Sequence, residues 1–172
     1  MNLRIRAEAA KDLARITEIN DSAFGQKGEG ILVERLRQNE DFDAELSLVA
    51  EVDGVVVGHI LFYPVVIDSD GKDCQCLALA PMSVLPQFQR SGIGSKLVIE
   101  GLQRAKRLGY KSVIVVGHAE YYPRFGFRPA SQWGIKLPFE APDNVFLALE
   151  LISGELESKR GIVKYPQEFE DV

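Results

Sequence analysis

Residues 79–97 read LAPMSVLPQFQRSGIGSKL. A long apolar run, 74–85, feeds a glycine-punctuated loop, Gln89-Arg90-Ser91-Gly92-Ile93-Gly94, which opens directly into an amphipathic helical pattern over 93–108. The two glycines let backbone N–H groups turn inward and approach a ligand without Cβ obstruction. The start of the helix adds a partial positive charge and unpaired N–H donors. Together these features form a site suited to a phosphate or pyrophosphate. Arg90 and Lys96 flank it with positive charge, and the Ser95 hydroxyl can donate a further hydrogen bond. Taken alone, such a G-x-G also fits a plain helix-entry turn.

Outward from this loop the order of elements becomes clear. Leu3 and Ile5 alternate with Arg4 and Arg6 as a short strand. Apolar positions at helical spacing predict a helix over 9–24 and a second over about 30–38, with Ile31, Leu32 and Leu36 inward. Residues 46–52 and 55–63 read as a hairpin around Asp53-Gly54, a pair that tolerates the positive φ angles of a tight turn. Asp70-Gly71 is a second such turn, before the run 74–85. The helix over 93–108 turns Leu97, Val98, Gly101, Leu102, Ala105 and Leu108 inward, and Gly109 ends it. The largely apolar 112–116 reads as a central strand. A short helical segment over 119–125 and a strand over 145–151 follow. The tail from 153 is more polar but carries Ile162, Val163, Tyr165 and Phe169, so it is expected to dock. This is an α+β (α/β-like) chain with a mixed sheet and no strict alternation. The absence of a glycine-rich turn after the first strand argues against a Rossmann dinucleotide domain. At 172 residues, without linkers or repeats, one domain is expected over 1–172, with 153–172 as a docked C-terminal extension.

Composition narrows the function classes. Net charge is −5, which argues against a nucleic-acid surface. No apolar run is long enough to span a membrane, because Gly58, His59 and Pro64 interrupt the best one. The N-terminus is charged from Arg4 onward, unlike a signal peptide. A soluble, cytoplasmic protein is the expectation. Cys74 and Cys76 sit two apart, too close to bridge in an extended chain, and with only His59 and His118 elsewhere no zinc spacing exists. No metal is expected. Charge is unevenly spread: residues 21–54 carry −6, with nine acids against Lys27, Arg35 and Arg37. These acids are either a solvated surface or an acidic mouth that attracts a cationic substrate.

The spacing Q-x-x-G-x-G after a strand with Val84 and Pro86 resembles the acetyl-coenzyme A loop of the GNAT superfamily of N-acetyltransferases. Tyr122-Pro123-Arg124-Phe125-Gly126-Phe127 is similar to that superfamily's tyrosine-bearing short helix, and one helix and one apolar strand separate the two signatures. The doublet Tyr121-Tyr122 and the tail Gly161-Ile162-Val163-Lys164-Tyr165-Pro166 with Phe169 further resemble a branch of bacterial GNAT proteins. The resemblance implies a mixed, mostly antiparallel twisted sheet with flanking helices, splayed between its fourth and fifth strands. It implies acetyl-coenzyme A as co-substrate, with the pyrophosphate on the backbone of Arg90, Ser91, Gly92, Ile93, Gly94 and Ser95 beside Gln89. The pantetheine arm would add to the backbone of Met82 and Val84. The Met82 N–H would polarise the thioester carbonyl, and Tyr122 would protonate the departing thiolate.

Individual residues admit a plainer role beside the functional one. Tyr122 fits a packed aromatic, and Tyr121 a structural or substrate-facing one. Phe125 and Phe127 read as core or as coenzyme A contacts. Better-known protein-acetylating members carry a glutamate on the fourth strand, where this chain has Ala78 and no acid over 74–84. The base is then another residue, a water chain or solvent. His118 could serve near neutral pH, or cap the next helical segment or touch the cofactor. Glu29 and Glu34 lie in the segment that borders the acceptor site in this family, though exposure also explains them. His59, mid-strand, reads as a surface or inter-strand residue. The expected activity is transfer of an acetyl group to a primary amine of a small molecule or peptide. The alternative is a non-catalytic acyl-coenzyme A binding or regulatory module. Oligomeric state, a dimer included, is left open by the sequence.

Overall fold

A computed structural model of the chain describes residues 2–171. In chain order the strands are β1 (Leu3–Ala7), β2 (Ser47–Val52), β3 (Val55–Ser69), β4 (Lys72–Val84), β5 (Ser112–Val116), β6 (Arg128–Pro129), β7 (Ile135–Lys136), β8 (Phe146–Glu150) and β9 (Gly161–Lys164). The α-helices are α1 (Leu13–Phe24), α2 (Gly28–Arg37) and α3 (Ile93–Arg107). The sheet is mixed and mostly antiparallel, in the order β1-β2-β3-β4-β5-β8-β6, with β9 pairing both β3 and β7. Its two long strands, β3 and β4, run through both of the compact units into which the chain divides.

The first unit holds the described residues of Met1–Tyr63, Ala80–Arg104 and Gln167–Val172. Here β1, β2 and the start of β3 pair antiparallel, with Leu3 opposite Val52 and Ser47 opposite Leu61. Asp53 (φ 50°) and Gly54 (φ 83°) are both left-handed, the turn that matches the twist of a hairpin. Successive residues of β3 face opposite ways. Gly58 and Phe62 lie against Leu97 and Gly101 of α3, while His59 meets Asn20 of α1, so α3 and α1 cover opposite faces of the strand. Ile16, Ile19, Leu36, Leu48, Ile60, Phe62 and Leu97 are fully buried.

The second unit comprises Pro64–Leu79 and Ala105–Pro166. Its interior is an apolar cluster of Val65, Ile67, Cys76, Ile114, Phe146, Ala148 and Val163, with Trp133 and Tyr165 packed at its margin. β4 and β5 run parallel, but their ladder holds only two pairs, Leu77 opposite Val113 and Ala78 opposite Ile114. β5 then pairs β8 along its whole length.

Several expectations shift. The helix expected over 9–24 opens as a 3-10 turn, Ala10–Asp12, and becomes α-helical from Leu13. α2 starts at Gly28, and its buried stripe is Leu32, Val33 and Leu36, leaving Ile31 42% exposed. Leu108 lies past the end of α3 and is exposed, because Gly109 (φ 95°) has begun the turn. The helical segment over 119–125 shrinks to a 3-10 turn, Tyr122–Phe125. In the tail, Val163 is fully buried on β9, which pairs with β3. His59 is not a surface residue: it is fully buried.

Candidate active site

Val84 ends β4, and the chain passes through a 3-10 turn, Pro86–Phe88, into the loop. Gln89 reaches back, its side-chain amide donating to the Val84 carbonyl at 2.9 Å. It therefore braces the loop from within. The Ser91 hydroxyl donates to the Phe88 carbonyl and ties down the other side. Arg90 between them sits at φ 63°, and Gly92, just past Ser91, at φ 85°. Left-handed residues within such a turn are a feature of backbone nests, in which successive N–H groups can converge on an anion. A Cβ on Gly92 would meet nothing within 4 Å, so the backbone there faces open space. The first bond of α3 runs from Lys96 N–H to the Gly92 carbonyl at 3.1 Å, and the amides of Ile93 and Gly94 precede it. Ile93 is buried and anchors the turn, while Arg90, Ser91 and Gly92 are exposed. On β4, Met82 is half-buried. The Ser83 hydroxyl is buried and has no hydrogen-bond partner.

In the second unit, β5 ends at Val116 and the chain turns at Gly117, whose N–H donates to the Val145 carbonyl at 2.8 Å. The Tyr122 ring lies against Gly117 so closely that any Cβ there would collide with it. The His118 carbonyl accepts from the amides of Tyr121 and Tyr122, so this residue caps the 3-10 turn through its backbone and leaves its side chain exposed. Tyr122 is 6% exposed and packs edge-on to Tyr121 (5.1 Å between centroids) and Phe127 (5.7 Å). Burial, with a smaller contribution from Tyr121, pushes its phenol above the ordinary tyrosine range. The phenol is therefore protonated near neutral pH. Phe125 stands half-buried beside Tyr121, and Arg124 stacks on the Tyr121 ring at 4.4 Å. Ala78 is buried in the apolar cluster, where a carboxylate would have no partner.

Glu29 and Glu34 lie on α2 in the first unit. Glu29 accepts from the Gln26 amide and Glu34 from the Thr17 hydroxyl at 2.8 Å. Sequence reasoning missed a buried polar chain running through His59. Its members come from five separate segments, so no spacing announces it. Among the described residues, no group of three or more His, Cys, Asp and Glu could hold a metal ion.

The model of the acetyltransferase (GNAT) family matches residues 13–127, a span that holds both the loop and the Tyr122 turn. The chain belongs to the GNAT family. GNAT enzymes use acetyl-coenzyme A as co-substrate, which makes this chain an acetyl-coenzyme A dependent N-acetyltransferase. It is 32% identical to the uncharacterised N-acetyltransferase YhbS of Escherichia coli K12, over 96% of this chain and 97% of that one. It is 37% identical to YjhQ of the same organism, over 77% of this chain and 74% of that one. The solved GNAT structure of Escherichia coli YhbS in complex with CoA superposes with a TM-score of 0.91, at 30% identity, covering 99% of this chain and 93% of that one. A GNAT acetyltransferase from Brucella melitensis in complex with acetyl-CoA follows at 0.80 and 35%, with 98% of each chain covered. The GNAT likeness thus extends over nearly the whole chain. Among the described residues no helix is long and apolar enough to cross a membrane.

Proposed function

We propose that this GNAT chain acetylates a primary amine by direct attack on acetyl-coenzyme A, as one catalytic domain with 153–172 as its docked extension. The observation that carries the reading is the loop of Arg90 and Gly92, two left-handed residues opening α3 with the backbone facing open space. The coenzyme pyrophosphate is held by the amides from Arg90 to Ser95, with Gln89 bracing the loop. The pantetheine arm lies along the backbone of Met82 and Val84. The neutral amine attacks the thioester carbonyl carbon, and the Met82 N–H stabilises the negative oxygen that develops. The C–N bond forms, the C–S bond breaks, and the Tyr122 hydroxyl gives its proton to the departing thiolate. The attacking nitrogen loses its extra proton to His118, whose side chain is exposed, or to solvent. Phe125 borders the cofactor.

The acceptor is a cationic amine, drawn by the −6 segment that includes Glu29 and Glu34. The protein works in the cytoplasm, where its unbridged cysteines remain reduced. The deciding experiment is acetyl-coenzyme A turnover with spermidine, kanamycin, a lysine peptide and an acidic amino acid, in wild type and two variants. Tyr122→Phe should lower kcat by about 10²–10⁴ with coenzyme A affinity nearly unchanged, and Tyr121→Phe should do far less. Equal effects at the two tyrosines would refute the proton donor. Tight coenzyme binding without turnover of any amine would favour the non-catalytic binding module.

A further inference from the structure

The first unit buries a continuous line of polar side chains that the acetyl-transfer chemistry does not use. The Asn20 amide of α1 donates to the Ile16 carbonyl at 3.0 Å and faces His59 Nδ1 at 3.3 Å. On the other side of the ring, His59 Nε2 lies 2.9 Å from the Ser47 hydroxyl. Ser47 in turn meets Glu8, whose two carboxylate oxygens each accept from the Arg37 guanidinium of α2 at 3.0 Å. Asn20, His59 and Ser47 are wholly buried, and the Glu8 side chain is 6% exposed.

With the Asn20 amide oriented by its bond to the Ile16 carbonyl, which leaves Asn20 Oδ1 buried without a partner, one arrangement of protons fits the contacts of this line. Glu8, paired with Arg37, is ionised and can only accept, so the single Ser47 proton goes to it. Ser47 must then accept at its oxygen, and the donor is His59 Nε2–H. His59 Nδ1 carries no proton and accepts from Asn20. Each link points the same way, from α1 through β3 and β2 to Glu8, just after β1, which is paired with Arg37 of α2. Burial, and secondarily the charge of Arg37, pulls the His59 pKa down to about 3, which matches a neutral ring with a fixed tautomer. Losing one partner leaves the next group buried and unpaired, at a cost exceeding that of one exposed hydrogen bond.

We propose that Asn20, His59, Ser47, Glu8 and Arg37 act as one positioning device that locks α1 and α2 to the sheet together. Loosening one end then loosens the other. The consequence for catalysis rests on the reading above that the segment of Glu29 and Glu34, carried on α2, borders the acceptor. It predicts an effect on the acceptor, not on coenzyme A. His59 is accordingly a positioning residue and exchanges no proton with substrate.

The test has an acceptor-free arm and a kinetic arm. In the intact protein, nitrogen-15 spectra of the imidazole should show the Nε2–H tautomer of His59 unchanged from pH 5 to pH 8. In Ser47→Ala, amide hydrogen exchange should accelerate at least tenfold in both α1 and α2, with α3 and coenzyme A affinity unaffected. Asn20→Leu should do the same, and the double variant should add little, because the chain is already broken. A His59 ring that protonates near pH 6, or exchange that rises in only one helix, or additive effects of the two variants, would overturn the proposal. In the kinetic arm, Ser47→Ala should raise the KM of the best amine among those above at least fivefold with kcat within about twofold. An unchanged KM beside loosened helices would leave the device standing and refute the acceptor-wall reading. Failure of the exchange result would refute the device itself.

Discussion

The two compact units solve the same problem, a sealed interior, with different chemistry. The second fills its centre with Val65, Ile67, Ile114, Ala148 and Val163, and even its Cys76 thiol is pushed up to about 12 by burial. The first adds to its aliphatic core a chain of buried polar groups ending in an ion pair. An apolar interior tolerates change in proportion to the area lost. A polar one fails link by link, because every donor needs its acceptor. In exchange it fixes orientation, which apolar packing alone specifies less sharply. The first unit carries the loop proposed to hold coenzyme A and the segment of Glu29 and Glu34 proposed to draw the acceptor, so precise orientation there would have a function to serve.

The contrast can be broken from the apolar side first. Ile114→Ala removes a fully buried side chain from β5 and should cost about 2–5 kcal/mol of stability, as read by chemical denaturation, at every pH between 5 and 8. The polar side should instead respond to acid. An unfolded histidine takes up a proton below about pH 6.5, whereas His59 in the folded chain stays neutral down to about 3. Acid therefore favours the unfolded chain across that window, by about 1.4 kcal/mol per pH unit. The parent should lose about 2 kcal/mol between pH 6.5 and pH 5 from this group. His59→Gln should flatten that slope while lowering stability at pH 7. An equal slope in both proteins would assign the acid sensitivity elsewhere. The smallest effect belongs to the surface of the first unit. Glu29→Gln combined with Glu34→Gln should raise acceptor KM about twofold to fivefold at low salt and leave Tm unchanged. Raising salt from about 0.05 M to about 0.5 M should produce a similar rise in the parent.

Legibility in the sequence follows the range of the interactions. Asp53-Gly54 and Asp70-Gly71 were readable as turns because a dipeptide sets a turn by itself, and all four residues are left-handed. The loop at 89–94 was readable for the same reason: spacing, glycines and the adjoining helix are contiguous. β3 was cut short at Tyr63 because Pro64 removes a donor, yet the strand continues to Ser69, where its end pairs with β9 from far along the chain. Two-residue strands such as β6 and β7 have no periodicity to detect. Ile31 was placed inward because an apolar residue beside Leu32 suits either edge of the stripe, and only the packing of α2 decides. His59 was half read: it bridges strands, reaching Ser47 of β2, but its full burial was missed. A lone histidine in a strand carries no sign of burial, since its partners lie on α1 and β2. Among candidate site residues, the loop and Tyr122 were visible as motifs, whereas the bracing role of Gln89 and the fit of Tyr122 on Gly117 needed coordinates.

Gly92→Val tests the central claim most directly, that coenzyme A is held by the backbone of the loop opening α3. At φ 85° a β-branched residue is strained, and its side chain would project into the open space assigned to the pyrophosphate. Calorimetric titration with coenzyme A should show affinity weakened at least tenfold, about 1.4 kcal/mol or more, with far-ultraviolet circular dichroism unchanged. A folded Gly92→Val protein that binds coenzyme A as tightly as wild type would contradict it.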